Sequence, residues 1–151
     1  MSKIFYLAHP FESRELVREW ELGAEKRLGI ELVNPFFDVP RADLPLLDVT
    51  KVMTREERQK ALVETFGMEY GRAIVEPDLS HIRDCGGVVA VVTDDRMVGT
   101  PMEIFYTSYV LKRPVYIIHL SERNRWHPWL QYFSVKMFSG FADFEAWWKA
   151  K

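Results

Sequence analysis

Short apolar runs alternate with longer amphipathic stretches along this chain, and this alternation predicts strands and helices in turn. Four runs have the length and apolarity of buried strands, and they cover residues 3–8, 30–33, 88–92 and 114–118. A fifth strand is expected near Phe138. Strands that alternate with helices in this order predict a parallel sheet with helices on both faces. The expected fold class is therefore α/β, a single flavodoxin-like or Rossmann-like domain with four to five strands.

Helix boundaries are predicted from capping residues. One helix is expected to run from a cap at Ser13 to Leu28, where a glycine follows and ends it. A Thr-Arg-Glu-Glu capping box opens another helix at Thr54. A helical turn is expected to restart around 76–78, and a last helix to begin with a cap at Thr100 and a proline in its first turn.

The segment 36–52 is rich in proline and shows neither the helical nor the strand period. It is too long for a routine connection, and loops of this length often act as lids or binding loops. We expect this segment to be irregular and to lie near a ligand.

The last part of the chain, residues 121–151, is dense in aromatic side chains. A monomer of this size has little room to bury all of them, and exposed apolar patches commonly mark interaction sites. We expect part of this region to lie at an interface between subunits or against a ligand.

Length and charge limit the function classes. A chain of 151 residues suits one domain, spanning 1–151, with one substantial core. The formal net charge of −2 argues against a dedicated surface for a nucleic-acid polymer or an anionic membrane. The first residues do not resemble a signal peptide, and no apolar run approaches the roughly 18 residues of a membrane span. The expected location is therefore cytoplasmic.

The motifs predict neither a metal nor a cofactor. The single cysteine, Cys85, cannot form an internal disulfide and is expected in the core. His81, His119 and His127 show no metal-ligand spacing with one another or with Cys85. The phosphate-binding loop that ends in Gly-Lys and the Gly-x-Gly-x-x-Gly fingerprint are both absent from the sequence. Enzymes that use nucleotide cofactors are therefore disfavoured.

Asp78 and Glu103 are the carboxylates best placed for chemistry, because they lie at element ends on either side of the strand at 88–92. Each also has a local interpretation. Glu103 follows Thr100 by three residues, as in a capping box, and Asp78 precedes a helical turn, as an N-cap does. Against this, open α/β sheets bind ligands at strand ends, and a carboxylate nucleophile is a known solution in glycosyl transfer. Local sequence leaves both interpretations open.

Three motifs follow one another along the chain: Ile4-Phe-Tyr-Leu-Ala-His-Pro-Phe11, Asp78-Leu-x-x-Ile-x-x-Cys85, and Val98-Gly-Thr-Pro-Met-Glu103 before a helix and Lys112-Arg-Pro-Val-Tyr. In order and spacing they resemble the nucleoside 2-deoxyribosyltransferases, whose superfamily includes the nucleoside 5′-monophosphate N-glycosidases. The resemblance covers roughly residues 3–118.

The resemblance implies a role for each matching residue. Glu103 matches the nucleophile that bonds to C1′ of the sugar, Tyr6 the tyrosine that holds this carboxylate, and Asp78 an aspartate that can protonate the leaving base. Such an acid lowers the barrier to departure, and a carboxylate beneath C1′ stabilises an oxocarbenium-like sugar. Phe11 matches an aromatic residue of the base pocket. The other expected substrate contacts are His9, Met97, Gly99, Thr100, Ser13, Arg14 and, from a neighbouring subunit, Ser134.

Two positions depart from the resembled families. Transferases often carry a base-contacting aspartate six residues before the nucleophile, where this chain has Met97, with Asp94 and Asp95 nearby. The phosphate-binding hydrolases carry a Gly/Ser/Arg-rich loop after the first strand, where this chain places Glu12 just before two candidate anion ligands. The first departure disfavours the usual transferase, and the second disfavours the usual hydrolase.

The leading hypothesis is a nucleoside 2-deoxyribosyltransferase that passes the sugar between nucleobases through a Glu103-linked intermediate. The first alternative is a hydrolase that acts as a (deoxy)nucleoside 5′-monophosphate N-glycosidase. The second is a nucleotide-binding module without catalysis, in which Glu103 only caps a helix. The resemblance also implies a small-molecule nucleoside or nucleotide as ligand, and a homodimer or higher homo-oligomer with residues 121–151 at its interface.

Overall fold

One parallel sheet forms the centre of the computed structural model, which describes residues 2–50, 52–125 and 127–151. The strand order is β2-β1-β3-β4-β5, and every neighbouring pair is parallel. This is the order of the flavodoxin-like fold, so the predicted fold class is confirmed, including the fifth strand. The strands are β1 (Ile4–Ala8), β2 (Glu31–Val33), β3 (Val88–Val92), β4 (Val115–His119) and β5 (Lys136–Phe138).

Helices connect and flank these strands. A 3-10 turn at Phe11–Ser13 leads into the first helix, and a π-helical turn at Tyr106–Val110 extends the fifth. Among the helices of the described residues, none reaches the combined length and apolar character that a membrane span requires. The α-helices are α1 (Arg14–Leu28), α2 (Leu44–Thr50), α3 (Arg55–Phe66), α4 (Tyr70–Arg83), α5 (Gly99–Phe105), α6 (Pro128–Tyr132) and α7 (Phe141–Lys149).

Local sequence signals account for two predicted boundaries. Gly29 follows α1 with a φ of 64°, in the left-handed conformation that glycine adopts without strain. At the start of α3, the side chains of Thr54 and Glu57 each accept a hydrogen bond from the other's backbone N–H, as the capping box predicts. Both boundaries are confirmed.

Two predictions for the middle of the chain are wrong. The helix expected to restart at 76–78 already begins at Tyr70 and continues through Pro77. Pro77 lies in the interior of this helix and not in its first turn, so the expected boundary is absent. The segment 36–52 is not wholly irregular either, since it contains α2.

Alternate residues of each strand point to opposite faces of the sheet and build two separate cores. Phe5 and Val89 belong to the core beneath α1 and α7. Tyr6, Val88 and Ala90 belong to the core beneath α4, α5 and α6. Tyr6 and Val88 are register partners in neighbouring strands, so their side chains lie next to each other on the same face of the sheet.

The aromatic region at the end of the chain divides into a packed part and an exposed part. Phe138 and Phe144 are buried in the core that α1 shares. Trp129 and Tyr132 on α6, in contrast, are 65% and 77% exposed. Trp126 lies outside the described residues. The aromatic residues of this region therefore fill the chain's own core around α7 and form a surface patch around α6.

Candidate functional site

A cavity of about 550 Å³ lies at the carboxyl ends of β1 and β3. In this strand order, the connections from β1 and β3 leave in opposite directions at that point, and open α/β sheets bind ligands in the crevice that results. The cavity volume is within the range of small-molecule sites. Fold and cavity therefore agree on where a ligand would bind.

Three elements bring the predicted catalytic residues to this cavity. Tyr6 comes from β1, where strand alternation turns its side chain toward α4 and α5. Asp78 comes from α4 and Glu103 from α5, and all three residues line the cavity. Residues far apart in sequence meet because the sheet places the ends of β1 and β3 side by side.

Glu103 does not cap its own helix. Helix α5 begins at Gly99, its N-cap position is Val98, and no side chain makes a capping hydrogen bond there. The interpretation of Glu103 as the capping partner of Thr100 is therefore wrong, because the helix starts before Thr100. The Oε2 atom of Glu103 is buried and has no hydrogen-bond partner among the described residues. The fold thus leaves this oxygen free to meet a ligand.

Burial raises the pKa of Glu103 to about 8, well above its ordinary value of 4.5. The charge of Asp78 adds to the rise, whereas Tyr6 and Arg41 oppose it. Burial, followed by the charges of Glu103 and Asp78, raises the pKa of Tyr6, so its hydroxyl stays protonated. That hydroxyl lies near Glu103 but has no partner of standard hydrogen-bond geometry among the described residues. Contacts of this kind often tighten only when substrate binds.

Asp78 lies inside α4, so its interpretation as an N-cap is wrong. The Nη1 atom of Arg41 donates to both oxygens of its carboxylate, at 2.9 Å to Oδ1 and 2.8 Å to Oδ2. Burial raises the pKa of Asp78, Arg41 lowers it, and the nearby charge of Asp43 raises it again. Burial and Asp43 therefore favour the protonated form of Asp78, whereas Arg41 favours the ionised form.

Arg41 and Phe36 line the cavity, and sequence reasoning missed both. The Arg41 guanidinium lies 4.7 Å from the centre of the Phe36 ring, and Phe36 packs edge-on against Phe11 at 5.4 Å between ring centres. Both missed residues belong to the proline-rich segment that was expected near a ligand. Its length was the available signal, but length does not identify which side chains turn inward.

A buried polar network holds His9 at the cavity wall. Its Nε2 atom lies 3.0 Å from Asn34 Oδ1, and its Nδ1 atom lies 3.1 Å from the Pro10 carbonyl oxygen. Asn34 also donates through Nδ2 to the buried carboxylate of Glu21, at 2.6 Å. Burial lowers the pKa of His9 and raises that of Glu21 to about 7. His9 and Phe11 both line the cavity, so the network supports this wall.

The loop after β3 and the start of α5 bring Met97, Gly99 and Thr100 to the cavity. Asp94 and Asp95 do not line it. Asp94 accepts a hydrogen bond from a serine in the loop after β4, and Asp95 accepts from a serine and a threonine beside it. Neither aspartate takes the place of the base-contacting carboxylate that the resembled transferases often carry.

Ser13 and Arg14 do not line the cavity, and their expected contact with substrate stays a prediction. The Ser13 hydroxyl donates to Asp95 at 2.7 Å and contacts the Thr93 hydroxyl at 2.9 Å. Arg14 pairs with Asp48 at 2.9 Å. Contacts within the protein therefore occupy both side chains.

Two further expectations concern groups outside this cavity. Ser134 follows α6, where its hydroxyl donates to the Gln131 carbonyl, and its expected contact with a substrate in a neighbouring subunit stays a prediction. Among the described residues, no group of three or more His, Cys, Asp or Glu side chains is arranged to hold a metal ion.

Comparison with known proteins supports the fold. A solved structure of a 2-deoxyribosyltransferase from the psychrotolerant bacterium Bacillus psychrosaccharolyticus matches with a TM-score of 0.63 and 22% sequence identity. The match covers 94% of this chain and 90% of that chain. No family model and no curated protein matches the sequence. At this identity the similarity shows a shared fold, and activity has to be inferred from the site.

Proposed function

We propose that this chain is a nucleoside 2-deoxyribosyltransferase that uses Glu103 as its nucleophile. The observation that carries this proposal is the meeting of Glu103, Tyr6 and Asp78 in one cavity at the switch point of the sheet. These are the three residues to which the sequence resemblance assigns catalytic roles. The fold shared with a 2-deoxyribosyltransferase adds support.

The first half-reaction starts from a nucleoside whose C1′ atom lies against the Glu103 carboxylate. A carboxylate oxygen bonds to C1′ while the C1′–N bond breaks, and the electron pair of that bond leaves with the base. Tyr6 steadies the carboxylate, and Asp78 gives the base a proton so that it departs neutral. The product is a deoxyribosyl ester of Glu103.

A second base completes the transfer. Its ring nitrogen attacks C1′, the bond to the Glu103 oxygen breaks, and the Asp78 carboxylate takes up the proton of the incoming base. Because C1′ undergoes two displacements, its original configuration is retained. Hydrolysis follows the same course when water replaces the second base.

The charges around the cavity favour a nucleoside over a nucleoside 5′-monophosphate. Glu12 lines the cavity, whereas Ser13 and Arg14, the two candidate anion ligands, are engaged elsewhere. Arg41 lines the cavity but is shared by two aspartates. The other lining cation, Arg96, is exposed, so a phosphate in the interior of the cavity would meet carboxylates without an uncommitted buried cation among the described lining residues. This arrangement disfavours an added negative charge in the interior.

Incubation of the protein with deoxyinosine and free adenine tests this proposal. New deoxyadenosine, detected by chromatography, is the expected result and indicates transfer. Release of hypoxanthine alone indicates the hydrolase instead. If no base is exchanged or released while a nucleotide still raises the melting temperature, the chain is a binding module and the proposed transfer is excluded.

The active form is proposed to be a homo-oligomer assembled through the patch around α6. Trp129 and Tyr132 are largely exposed there, and a groove that Trp129 shares with Met97 connects the patch to the cavity. Met102, which lines the cavity, is exposed as well. A second copy on this surface would cover these apolar groups and lie beside the cavity entrance. This arrangement would let Ser134 reach the substrate of a neighbouring copy.

A further inference from the structure

An aspartate–arginine–aspartate cluster joins the segment after β2 to α4 at the cavity wall. Arg41 Nη1 contacts both oxygens of Asp78, at 2.9 and 2.8 Å. On the other side, Arg41 Nη2 donates to Asp43 Oδ2 at 3.2 Å, and Nε lies 2.8 Å from Asp43 Oδ1. The side chains of Arg41 and Asp78 are 13% and 18% exposed, and Asp43 is buried. The cluster is therefore largely shielded from water.

We propose that Arg41, held in place by Asp43, is a positioning residue that fixes the orientation and charge of the Asp78 carboxylate. This inference rests on the proposed function, in which Asp78 serves the leaving base. A guanidinium is planar and always charged, so it orients a carboxylate more strictly than an ammonium group does. The Phe36 ring, 4.7 Å from the guanidinium, supports Arg41 from its face.

The cluster suits an acid that loses its proton while a bond breaks. When Asp78 protonates the base, the electron pair of the C1′–N bond stays with the base and a negative charge appears on Asp78. Arg41 already contacts that carboxylate, so the charge is stabilised as it forms. Asp43 moderates the effect, because a second carboxylate on the same guanidinium weakens its pull on Asp78. Asp78 can thus carry its proton before the step and release it during the step.

Other titratable groups face Asp78 from its own helix, from β1 and from α5. These groups are His81, Tyr6 and Glu103, respectively. The charge of Asp78 raises the pKa of Glu103, so the two carboxyl groups titrate as a coupled pair. Replacing Glu103 with glutamine therefore isolates the titration of Asp78.

Carbon-13 NMR titration of the Asp78 carboxyl group in the Glu103→Gln protein tests the cluster. Arg41→Gln removes the opposing cation and is expected to raise the pKa of Asp78 by about one unit or more. Asp43→Asn removes a negative charge beside Arg41, which then pairs with Asp78 alone. This substitution is therefore expected to lower the pKa of Asp78. Opposite shifts would show that both charges act on Asp78, and a matching change in kcat/KM separates a role in catalysis from a merely structural one. Arg27→Gln, which breaks an ion pair between α1 and α7, is the control and is expected to cause no shift.

Kinetics with Glu103 intact provide the second readout. Arg41→Gln is expected to lower kcat/KM about 100-fold, and Arg41→Lys is expected to restore part of the loss. If Arg41→Gln does not fold, Arg41→Lys and Asp43→Asn replace it, and the pKa shift of Asp78 must then come with a change in kcat/KM. A cluster that only stabilises the fold would leave kcat/KM near the wild-type value. Unchanged pKa values in the cluster variants, or shifts in the same direction, would overturn the inference. If the wild type neither transfers nor releases a base, the proposed function is wrong. The titration still tests whether Arg41 and Asp43 act on Asp78.

Discussion

Glu103 combines properties that favour catalysis with properties that disfavour stability. Its Oε2 atom is buried without a partner among the described residues, and burial raises its pKa to about 8. A carboxylate in this state is poorly solvated, so it gains by bonding to an electrophile and weakens the fold when it ionises. Perturbed carboxylates of this kind cluster at functional sites.

Replacing Glu103 with glutamine is expected to stabilise the protein more at about pH 9 than at about pH 6, by roughly 2–3 kcal/mol. The raised pKa means that the folded state binds this proton more tightly than the unfolded chain does between about pH 4.5 and 8. The free energy of unfolding of the wild type therefore falls as the pH rises through that window, and glutamine removes the loss. Urea denaturation at both pH values measures the difference. An equal effect at both values would contradict the assignment of the raised pKa.

The activity of the wild type is expected to have a bell-shaped dependence on pH. The reactive pair needs one proton, on Asp78, while Glu103 is ionised. Loss of the last proton of the pair leaves no acid for the base, so activity falls on the alkaline side. In Asp78→Asn the remaining, weaker activity is instead expected to rise as Glu103 ionises. Measurement of kcat/KM from about pH 5 to 10 distinguishes the two profiles, and identical profiles would exclude Asp78 as the acid.

The elements hold the site in two different ways. Sheet register fixes Tyr6, because β1 is paired on both sides. The segment between β2 and α3 holds Arg41 through side-chain contacts with Asp78 and Asp43. That segment starts at Asn34, whose side chain links the end of β1 to α1. The position of the segment therefore depends on a polar network as well as on apolar packing.

Asn34→Ala is expected to lower the free energy of unfolding by about 2–4 kcal/mol. The substitution leaves His9 and Glu21 without the amide that each contacts in a buried site. Urea denaturation measures the change. Gln59→Ala on the exposed surface of α3 is the control and is expected to alter stability by less than about 0.5 kcal/mol. A loss no larger than the control's would show that the network contributes little.

Strong local signals made most elements predictable, whereas contacts between distant residues were not. The apolar runs indicated the strands, and the capping box at Thr54 indicated α3. The predicted restart at 76–78 was wrong, because α4 already begins at Tyr70 and holds Pro77 in its interior. The same local reasoning gave Glu103 a possible capping role, but α5 begins before Thr100 and no side chain caps it. The contact between Arg41 and Asp78 joins separate segments, and no local pattern encodes it.

The whole molecule presents an aromatic surface next to its cavity. Phe105 and Tyr109 stack with ring centres 5.2 Å apart, and Phe133 packs against Phe105 at 5.3 Å and against Trp129 at 5.8 Å. Tyr132 projects from the same surface. A net charge of only −2 offers little repulsion between two copies. The surface therefore suits self-association, as the aromatic composition of residues 121–151 first suggested.

The double substitution Trp129→Ser and Tyr132→Ser is expected to convert an oligomer into a monomer. Both side chains are largely exposed, so the fold should keep most of its stability while the interface loses its largest apolar groups. Analytical ultracentrifugation of the wild type and the variant measures the change. Leu22→Ser, at a half-exposed position on α1, is the control and is expected to leave the oligomer intact. A monomeric wild type would refute the proposed assembly.

Mass spectrometry of the protein, quenched in acid during turnover of deoxyinosine and then digested, tests most directly whether Glu103 bonds to the sugar. We predict one deoxyribosyl group on the peptide that contains Glu103. We also predict that Glu103→Gln carries no such group and exchanges bases at least about 1,000-fold more slowly. Base exchange by Glu103→Gln at the wild-type rate, or a sugar bonded to a different residue, would contradict the role proposed for Glu103.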